Sequence, residues 1–323
     1  MRNEGPFIVE WVAWYKMLGF KNIVVVTNNC TDHSPQLLDA LQAAGWLYHL
    51  RHDVPPGNPI TPAKLALAKR HPRVRRANWV LVCDVDEFLV IHKGGGLLTD
   101  LVGTGDPAFL GMSINWKVFG TAGIDQFHDE PVHRQFFAAN APNRGLSRFV
   151  KSVFRKPDWF KIMGEHGPRR LDLAAAGQAW GAPGMAWVNA RGDVVPRWTP
   201  DGEYVRMIGY EDGAHEVAQM NHYMLRSVET YSLKSGTLSP VARTERYSPK
   251  YFRMANRADE IDTSALRYAA AFEARQAAAM ALPDVARLHY QCCADHLRLI
   301  AEKLGHDITA DPRHAAFLEN ARA

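Results

Sequence analysis

Three acidic residues directly after an apolar segment are the residues of this sequence best suited to chemistry. The apolar run WVLVC (residues 79–83) is followed by Asp84, Asp86 and Glu87, and the sequence then becomes apolar again. Neighbouring carboxylates repel one another and lose hydration when they are partly buried, so a positive group should lie beside them. Residues two apart in an extended segment share a side, which would let Asp84 and Asp86 face one cation. Such hard oxygen ligands suit Mg²⁺ or Mn²⁺, although an acidic, solvent-exposed turn would have the same pattern.

The surrounding segments predict a scaffold in which strands and helices alternate. Short apolar runs indicate strands, whereas Ser or Thr followed by Pro marks helix starts and Gly marks helix ends. This order predicts a parallel sheet built from right-handed crossovers. Ligands of such sheets bind at the carboxyl ends of the strands, where Asp84 and Asp86 fall. The predicted elements are helices over residues 5–19, 34–45 and 61–70, and strands over residues 22–27, 46–50 and 79–85.

The remainder of the chain is less regular. Further strands are predicted within residues 108–120 and 147–160. Residues 164–206 mix Gly, Pro, Trp and Ala without a clear period, so we expect irregular structure there. Residues 265–282 and 284–305 predict two helices that form a helical C-terminal tail.

Composition limits the class of protein. The chain has 323 residues, of which 47% are hydrophobic and 22% charged, as in a soluble globular protein. A net charge of +4 does not indicate nucleic-acid binding, but it leaves room for peripheral contact with a membrane surface. The sequence has four cysteines and no CxxC pair, so we expect free thiols and no structural zinc. With no signal-peptide pattern and no transmembrane segment, the sequence predicts a cytoplasmic protein.

Three segments in a fixed order carry a family resemblance. They begin with MRNEGPF, continue with VVVTNNCTDHSPQ and end with WVLVCDVDEFLV. In order and spacing they resemble bacterial family 2-like glycosyltransferases of the GT-A fold, in the subgroup related to family 92. INWKVFG (residues 114–120) and QMNHYMLRSVETYSLKSG (residues 219–236) resemble later motifs of that subgroup.

The resemblance implies a specific fold and domain organisation. It implies an α/β GT-A fold, Rossmann-like, with a mostly parallel sheet flanked by helices and a helical C-terminal tail. Residues 1–240 would form the glycosyltransferase domain, with a nucleotide-binding part over about 1–92 and an acceptor part over 93–240. Residues 241–323 would be a helical extension. Related families have a strand before the first motif, whereas the motif here follows Met1 directly.

The resemblance also implies contacts to the donor nucleotide. Asn3 and Glu4 match the loop that lies against the nucleotide. Asn28, Asn29 and Asp32 match the segment expected to meet the base and ribose, and Asn29 stands where an Asp is usual. Without the family order, the two asparagines would be interpreted as turn residues and Asp32 as a local contact before the next helix.

Metal and acceptor contacts follow from the same comparison. Asp84 and Asp86 match the motif that holds the metal and diphosphate, with Asp86 the more direct ligand. His222 matches a downstream histidine that resembles a third metal or diphosphate contact. Trp116 and His166 match positions on the acceptor side, although a tryptophan of this kind would otherwise be interpreted as core.

The function implied is a hexosyltransferase-like reaction in glycan or polysaccharide synthesis, for which we expect inversion and for which a retaining reaction stays open. A sugar would move from a nucleotide-diphosphate donor to a hydroxyl of a glycan or lipid-linked acceptor, with Mn²⁺ or Mg²⁺ as cofactor. An inverting enzyme also needs a catalytic base, for which Glu165, His166 and Asp125 are all candidates.

Two other classes of protein remain open from the sequence. A non-catalytic protein that binds nucleotides or glycans could use the same fold. A haloacid-dehalogenase-like phosphatase also has an apolar strand that ends in Asp-x-Asp, but a small pair such as Gly-Thr then follows. Here Glu87 and Phe88 follow instead.

Overall fold

The chain folds as a mixed α/β protein. The computed structural model describes residues 1–55, 57–142, 144–237 and 247–322. Its strands are β1 (Val24–Thr27), β2 (Tyr48–Arg51), β3 (Trp79–Leu81), β4 (Glu87–Ile91), β5 (Gly111–Val118), β6 (Ala138–Ala139), β7 (Val150–Arg155), β8 (Phe160–Met163), β9 (Pro168–Leu171), β10 (Trp187–Asn189), β11 (Ala218–His222) and β12 (Glu260–Ile261). Its helices are α1 (Gly5–Met17), α2 (Ser34–Ala43), α3 (Ile60–Arg70), α4 (Pro72–Arg75), α5 (Leu98–Val102), α6 (Val132–Gln135), α7 (Leu173–Ala176), α8 (Val228–Ser232), α9 (Pro249–Ala255), α10 (Ala269–Met280), α11 (Val285–Leu304) and α12 (Pro312–Asn320).

The chain divides into two compact units, and neither is continuous in sequence. The first unit comprises Met1–Asn58, Phe119–Ala139 and Tyr223–Ala323, and the second comprises Pro59–Val118 and Asn140–His222. The helical tail therefore belongs to the first unit together with the N-terminal segment. The domain boundaries expected from the family resemblance stay a prediction, and the one at residue 240 lies outside the described residues.

Helix α1 lies at the centre of the first unit. Its first eleven residues are all buried, as expected of a helix that is apolar all round. Trp14 is fully buried, and its ring lies 5.1 Å from that of Tyr268 and 5.8 Å from that of Phe272. Tyr268 directly precedes α10 and Phe272 lies in its first turn. The predicted helical tail therefore contributes to the core around α1.

Strands β1 and β2 confirm one predicted crossover. They pair in parallel, with Val24 opposite Tyr48 and Thr27 opposite Arg51, and α2 connects them. Three of the four residues of the run VVVT are buried, which explains why its apolar sequence predicted a strand. The first strand–helix–strand unit was therefore predictable from its periodicity and turn residues.

The sheet of the second unit is mixed rather than mostly parallel. Its strand order is β3-β7-β5-β11-β4, and β10 also pairs with β5. Strand β5 is parallel to β10 and β11, but β7 is antiparallel to both β3 and β5, and β4 is antiparallel to β11. The prediction that β3 continues a parallel order from β2 was wrong, because its hydrogen-bonded partner is the antiparallel β7. An apolar run indicates that a strand is buried but not which strand lies beside it.

Within the described ranges, no helix combines the length and apolar character needed to cross a bilayer.

A buried carboxyl group in α1 makes stability depend on pH. Glu10 is 5% exposed, and its Oε2 accepts the Val132 N–H at 2.9 Å. Burial raises the pKa of Glu10 to about 8, so the folded protein holds a proton that the unfolded chain releases near pH 4.5. The contribution of the protonated Glu10 carboxyl to the free energy of unfolding is complete below about pH 4.5 and is lost as the pH rises towards 8.

We therefore expect Glu10→Gln to reduce the loss of stability between pH 5 and pH 8. Between these two pH values, the free energy of unfolding of the wild type should fall by a few kcal/mol more than that of the variant, because each pKa unit corresponds to about 1.4 kcal/mol. Urea unfolding of both proteins at several pH values measures it. Parallel pH profiles for the two proteins would contradict the neutral buried state of Glu10.

Candidate active site

The three acids lie in a tight turn between β3 and β4. Glu87 is the first residue of β4 and is fully buried, and its Oε2 accepts the Asp84 N–H at 2.7 Å. The Glu87 N–H in turn donates to the Asp84 carbonyl oxygen at 3.2 Å. Because the segment turns instead of staying extended, the two aspartates differ in exposure: the Asp84 side chain is 67% exposed and that of Asp86 10%.

Lys151 supplies positive charge to this acidic turn. It lies on β7, and its Nζ is 2.9 Å from Asp84 Oδ2 and 3.0 Å from Glu87 Oε2. Its side chain is 1% exposed. From the sequence we expected a cation beside the acids, but we assigned that role to a metal ion and did not identify Lys151. The available signal was a single lysine in the apolar strand VKSVF, because buried lysines are almost always paired.

The electrostatics of the turn follow from burial and from this lysine. Burial opposes the charge of Lys151, but Asp84 and Glu87 outweigh it and hold the lysine pKa above its ordinary value. The Asp84 side chain is mostly exposed, so loss of hydration opposes its ionisation only weakly, and the Lys151 ammonium lowers the Asp84 pKa to about 2, an effect that solvent screens. In Glu87, burial is the larger effect and raises the pKa to about 8 despite Lys151. At neutral pH the turn therefore carries one ammonium beside an ionised Asp84 and a mostly protonated Glu87.

His222 joins the acidic turn through strand register. In the antiparallel β4–β11 pair, His222 lies opposite Glu87. Its Nε2 is 3.5 Å from Asp86 Oδ1, and its Nδ1 is 3.8 Å from Glu87 Oε1. The structure thus brings Asp86 and His222 together although they are far apart in sequence.

Trp116 of β5 contacts two histidines, His222 of the neighbouring strand β11 and His166, which lies between β8 and β9. Its ring centroid is 4.3 Å from that of His222 in an edge-on arrangement and 5.6 Å from that of His166. It also stacks on Phe149 at 5.0 Å and is only 3% exposed. The indole Nε1 is buried and has no hydrogen-bond partner among the described residues. The burial agrees with the core interpretation, and the acceptor role of Trp116 stays a prediction.

His166 has a defined tautomer and an adjacent carboxylate. Its Nδ1 is 2.8 Å from the Val150 carbonyl oxygen, which can only accept, so Nδ1 carries the proton. In the neutral ring, Nε2 is then the proton acceptor, and it lies 3.5 Å from Glu165 Oε1. Burial tends to raise the Glu165 pKa, but His166 and Lys151 outweigh burial and lower it. The Glu165 carboxylate is therefore the charged group beside Nε2 of His166.

Asp125, the third candidate base, lies in the first unit. It is exposed, and its backbone carbonyl oxygen accepts the Glu229 N–H at 2.9 Å. Glu165 and His166 lie in the second unit together with the acidic turn. The three candidate bases are therefore divided between the units.

The residues predicted to contact the nucleotide also lie in the first unit, where two loops meet. Asn3 donates to Thr31 Oγ1 at 2.8 Å and accepts the Thr31 N–H at 2.9 Å. Asn29 and Asn3 both adopt positive φ angles of 46° and 52°, which asparagine tolerates. These contacts agree with the interpretation as turn residues, and nucleotide binding by this region stays a prediction.

The other predicted nucleotide contacts have local partners. Glu4 accepts from Arg226 Nη1 at 2.9 Å, and this arginine is 3% exposed. Asp32 accepts from the Ser34 N–H and O–H at 3.1 and 2.6 Å, which is the local contact ahead of α2. Asn28 is 3% exposed, and its N–H donates to the Met1 carbonyl oxygen at 3.2 Å.

Asp86 and His222 fit a divalent ion better than Asp84 does. A carboxylate oxygen and an imidazole nitrogen 3.5 Å apart can reach one Mn²⁺. Asp84 instead directs Oδ2 to Lys151. Among the described residues, one group of three potential metal-ligand side chains has its ligand atoms within 4.8 Å of one another. This group consists of Asp129, His289 and Cys293.

Comparisons with known proteins do not identify a relative: no family model matches the chain, and no curated protein is significantly similar to it.

Proposed function

We propose that the protein is an inverting glycosyltransferase that moves a sugar from a nucleotide-diphosphate donor to an acceptor hydroxyl. The observation that carries the proposal is the 3.5 Å contact between Asp86, in the turn before β4, and His222, at the end of β11. A buried carboxylate and an imidazole, with an exposed aspartate and a lysine beside them, provide groups for a metal-bound diphosphate. The GT-A fold implied by the family resemblance is part of this proposal.

The proposed donor side consists of Asp86, His222 and Asp84. Asp86 and His222 would hold Mn²⁺ or Mg²⁺, and the ion would neutralise charge on the leaving diphosphate. Lys151 contacts Asp84 and Glu87 from a fully buried position, so its role is to position the turn. With Lys151 in place, the Asp84 carboxylate stays ionised at the exposed edge of the site.

His166 is the best supported of the candidate bases. Its Nδ1 donates to the Val150 carbonyl, which leaves Nε2 to accept the proton of an acceptor hydroxyl. Glu165 would stabilise the resulting imidazolium from 3.5 Å. Trp116, in contact with His166 and His222, would then separate the proposed donor and acceptor sides.

The proposed substrates and location follow the family resemblance. The acceptor would be a glycan or a lipid-linked glycan, and the process would be glycan or polysaccharide synthesis. Four free cysteines support a reducing compartment such as the cytoplasm. Peripheral contact with a membrane would bring the enzyme to a lipid-linked acceptor.

A thermal-shift panel of nucleoside diphosphates, with and without Mn²⁺, tests the proposal. At least one nucleotide should raise the melting temperature in a metal-dependent way, because a ligand that binds the folded state stabilises it. Hydrolysis of the matching nucleotide sugar would then separate an enzyme from a binding protein. Turnover of a simple phosphate ester would instead indicate a phosphatase, and no metal-dependent shift with any nucleotide would contradict the proposal.

A further inference from the structure

A second group of metal-ligand side chains lies in the first unit. His289 and Cys293 are four residues apart on α11, so they share one face of the helix. His289 Nε2 is 2.9 Å from Asp129 Oδ1 and 3.7 Å from Cys293 Sγ. Cys293 is fully buried and His289 is 4% exposed, whereas the Asp129 side chain is 27% exposed. We call these three residues the thiol cluster.

The geometry of the thiol cluster differs from that of a nucleophilic triad. In a triad, the histidine uses one nitrogen for the nucleophile and the other for the carboxylate. Here both Asp129 and Cys293 lie against Nε2, and Nδ1 is buried without a hydrogen-bond partner among the described residues. Burial and the nearby Asp129 charge also raise the pKa of the Cys293 thiol, which makes it a poor nucleophile.

The same geometry suits a tetrahedral metal ion. Zn–S bonds of about 2.3 Å and Zn–N or Zn–O bonds of about 2.0–2.2 Å place neighbouring ligand atoms about 3.4–3.6 Å apart. The 3.7 Å contact of Cys293 with His289 is close to this spacing. The 2.9 Å distance between Asp129 Oδ1 and His289 Nε2 is shorter than this spacing. Because the Asp129 side chain is partly exposed, it can move outward to the distance that the ion requires.

We propose that the thiol cluster binds one Zn²⁺ ion through Asp129 Oδ1, His289 Nε2 and Cys293 Sγ. Binding releases the thiol proton to solvent, and the thiolate and carboxylate together balance the two charges of the ion. The ion would fasten the loop that contains Asp129 to α11 within the first unit. The inference is independent of the glycosyltransferase proposal, because none of its residues belongs to the Asp86–His222 site.

Cobalt substitution of the full chain tests this inference directly. After metal removal with a chelator, added Co²⁺ should produce a near-ultraviolet thiolate-to-cobalt absorption band, at about one ion per chain. Excess Zn²⁺ should remove the band. The experiment is done in the wild type and in Asp86→Ala, so that the proposed Mn²⁺ site does not contribute.

Matched variants identify the ligands. Cys293→Ser should abolish the band, whereas Cys292→Ser, a change at the adjacent and equally buried thiol, should retain it. Asp129→Asn should weaken Zn²⁺ binding by more than about tenfold, because even outer-shell partners of zinc ligands have effects of that size. Glu130→Gln, at the exposed neighbour, should leave binding unchanged.

Several results would overturn the inference. One is a folded wild-type protein that binds no Co²⁺ with thiolate absorption. Another is a band that persists in Cys293→Ser or that is lost in Cys292→Ser instead. If Cys293→Ser does not fold, Asp129→Asn decides the question, because its partly exposed side chain can be changed without opening the core. Unchanged Zn²⁺ affinity in that variant would show that the thiol cluster is only a hydrogen-bonded group.

Discussion

Replacing Asp86 by alanine should abolish Mn²⁺-dependent binding of a nucleoside diphosphate and lower sugar transfer by at least about a hundredfold. Asp86 is 10% exposed in its side chain and lies 3.5 Å from the His222 imidazole. Its removal takes away one of two ligands that can reach a common ion. The fold should be retained, because the substitution removes a carboxylate that repels the ionised Asp84. Isothermal titration with the nucleotide identified by the thermal-shift panel measures the binding loss.

The same experiment with His222 tests whether both residues serve one centre. His222→Ala should also weaken Mn²⁺ binding, and excess Mn²⁺ should partly restore activity. The losses in the double variant with Asp86→Ala should be far from additive, because both changes disable one site. His92→Ala is the matched control, since His92 contacts Gln219 of β11 at 3.2 Å but lies outside the site. Additive losses, or an unchanged metal requirement in His222→Ala, would make His222 a structural residue.

Replacing Lys151 by methionine should lower the free energy of unfolding by about 3 kcal/mol at pH 9, and by less at pH 7. Lys151 is 1% exposed and is the partner of both Asp84 and Glu87. The effect depends on pH because Glu87 has a pKa raised to about 8. At pH 7 Glu87 is mostly neutral and needs the ammonium less. Above pH 8, Glu87 of the wild type ionises beside the Lys151 ammonium. In the variant, Glu87 must either stay protonated or become a buried carboxylate without a positive partner.

A second substitution separates charge from packing in this prediction. In the double variant Lys151→Met, Glu87→Gln, the additional loss above pH 8 should disappear, because the buried carboxyl is gone. Lys161→Met, at an exposed position of β8, should leave stability within about 0.5 kcal/mol of the wild type. Urea unfolding at pH 7 and pH 9 measures both effects. A loss that is equal at the two pH values would show that Lys151 matters through packing rather than through charge.

Local features of the fold were predictable because they depend on neighbouring residues. The N-terminal helix, the β1–α2–β2 unit and the long C-terminal helices all follow from apolar periodicity and from Ser, Pro and Gly at element ends. That Asp84 and Asp86 follow a strand was predictable for the same reason. The partners of β3, β4 and β5 were not, because an apolar run carries no information about which strand lies beside it.

The sequence by itself determined that three clustered acids follow a strand and require a positive partner. Only the tertiary structure decided that Lys151 of β7 supplies that charge, and that strand register brings His222 to Asp86. It likewise decided that Asp129 meets His289 and Cys293, since the sequence shows only a histidine and a cysteine four residues apart. A buried charge needs a partner that is close in space, and that partner can come from any part of the chain. A sequence therefore reveals the need for a partner, whereas strand pairing and helix packing select which residue meets it.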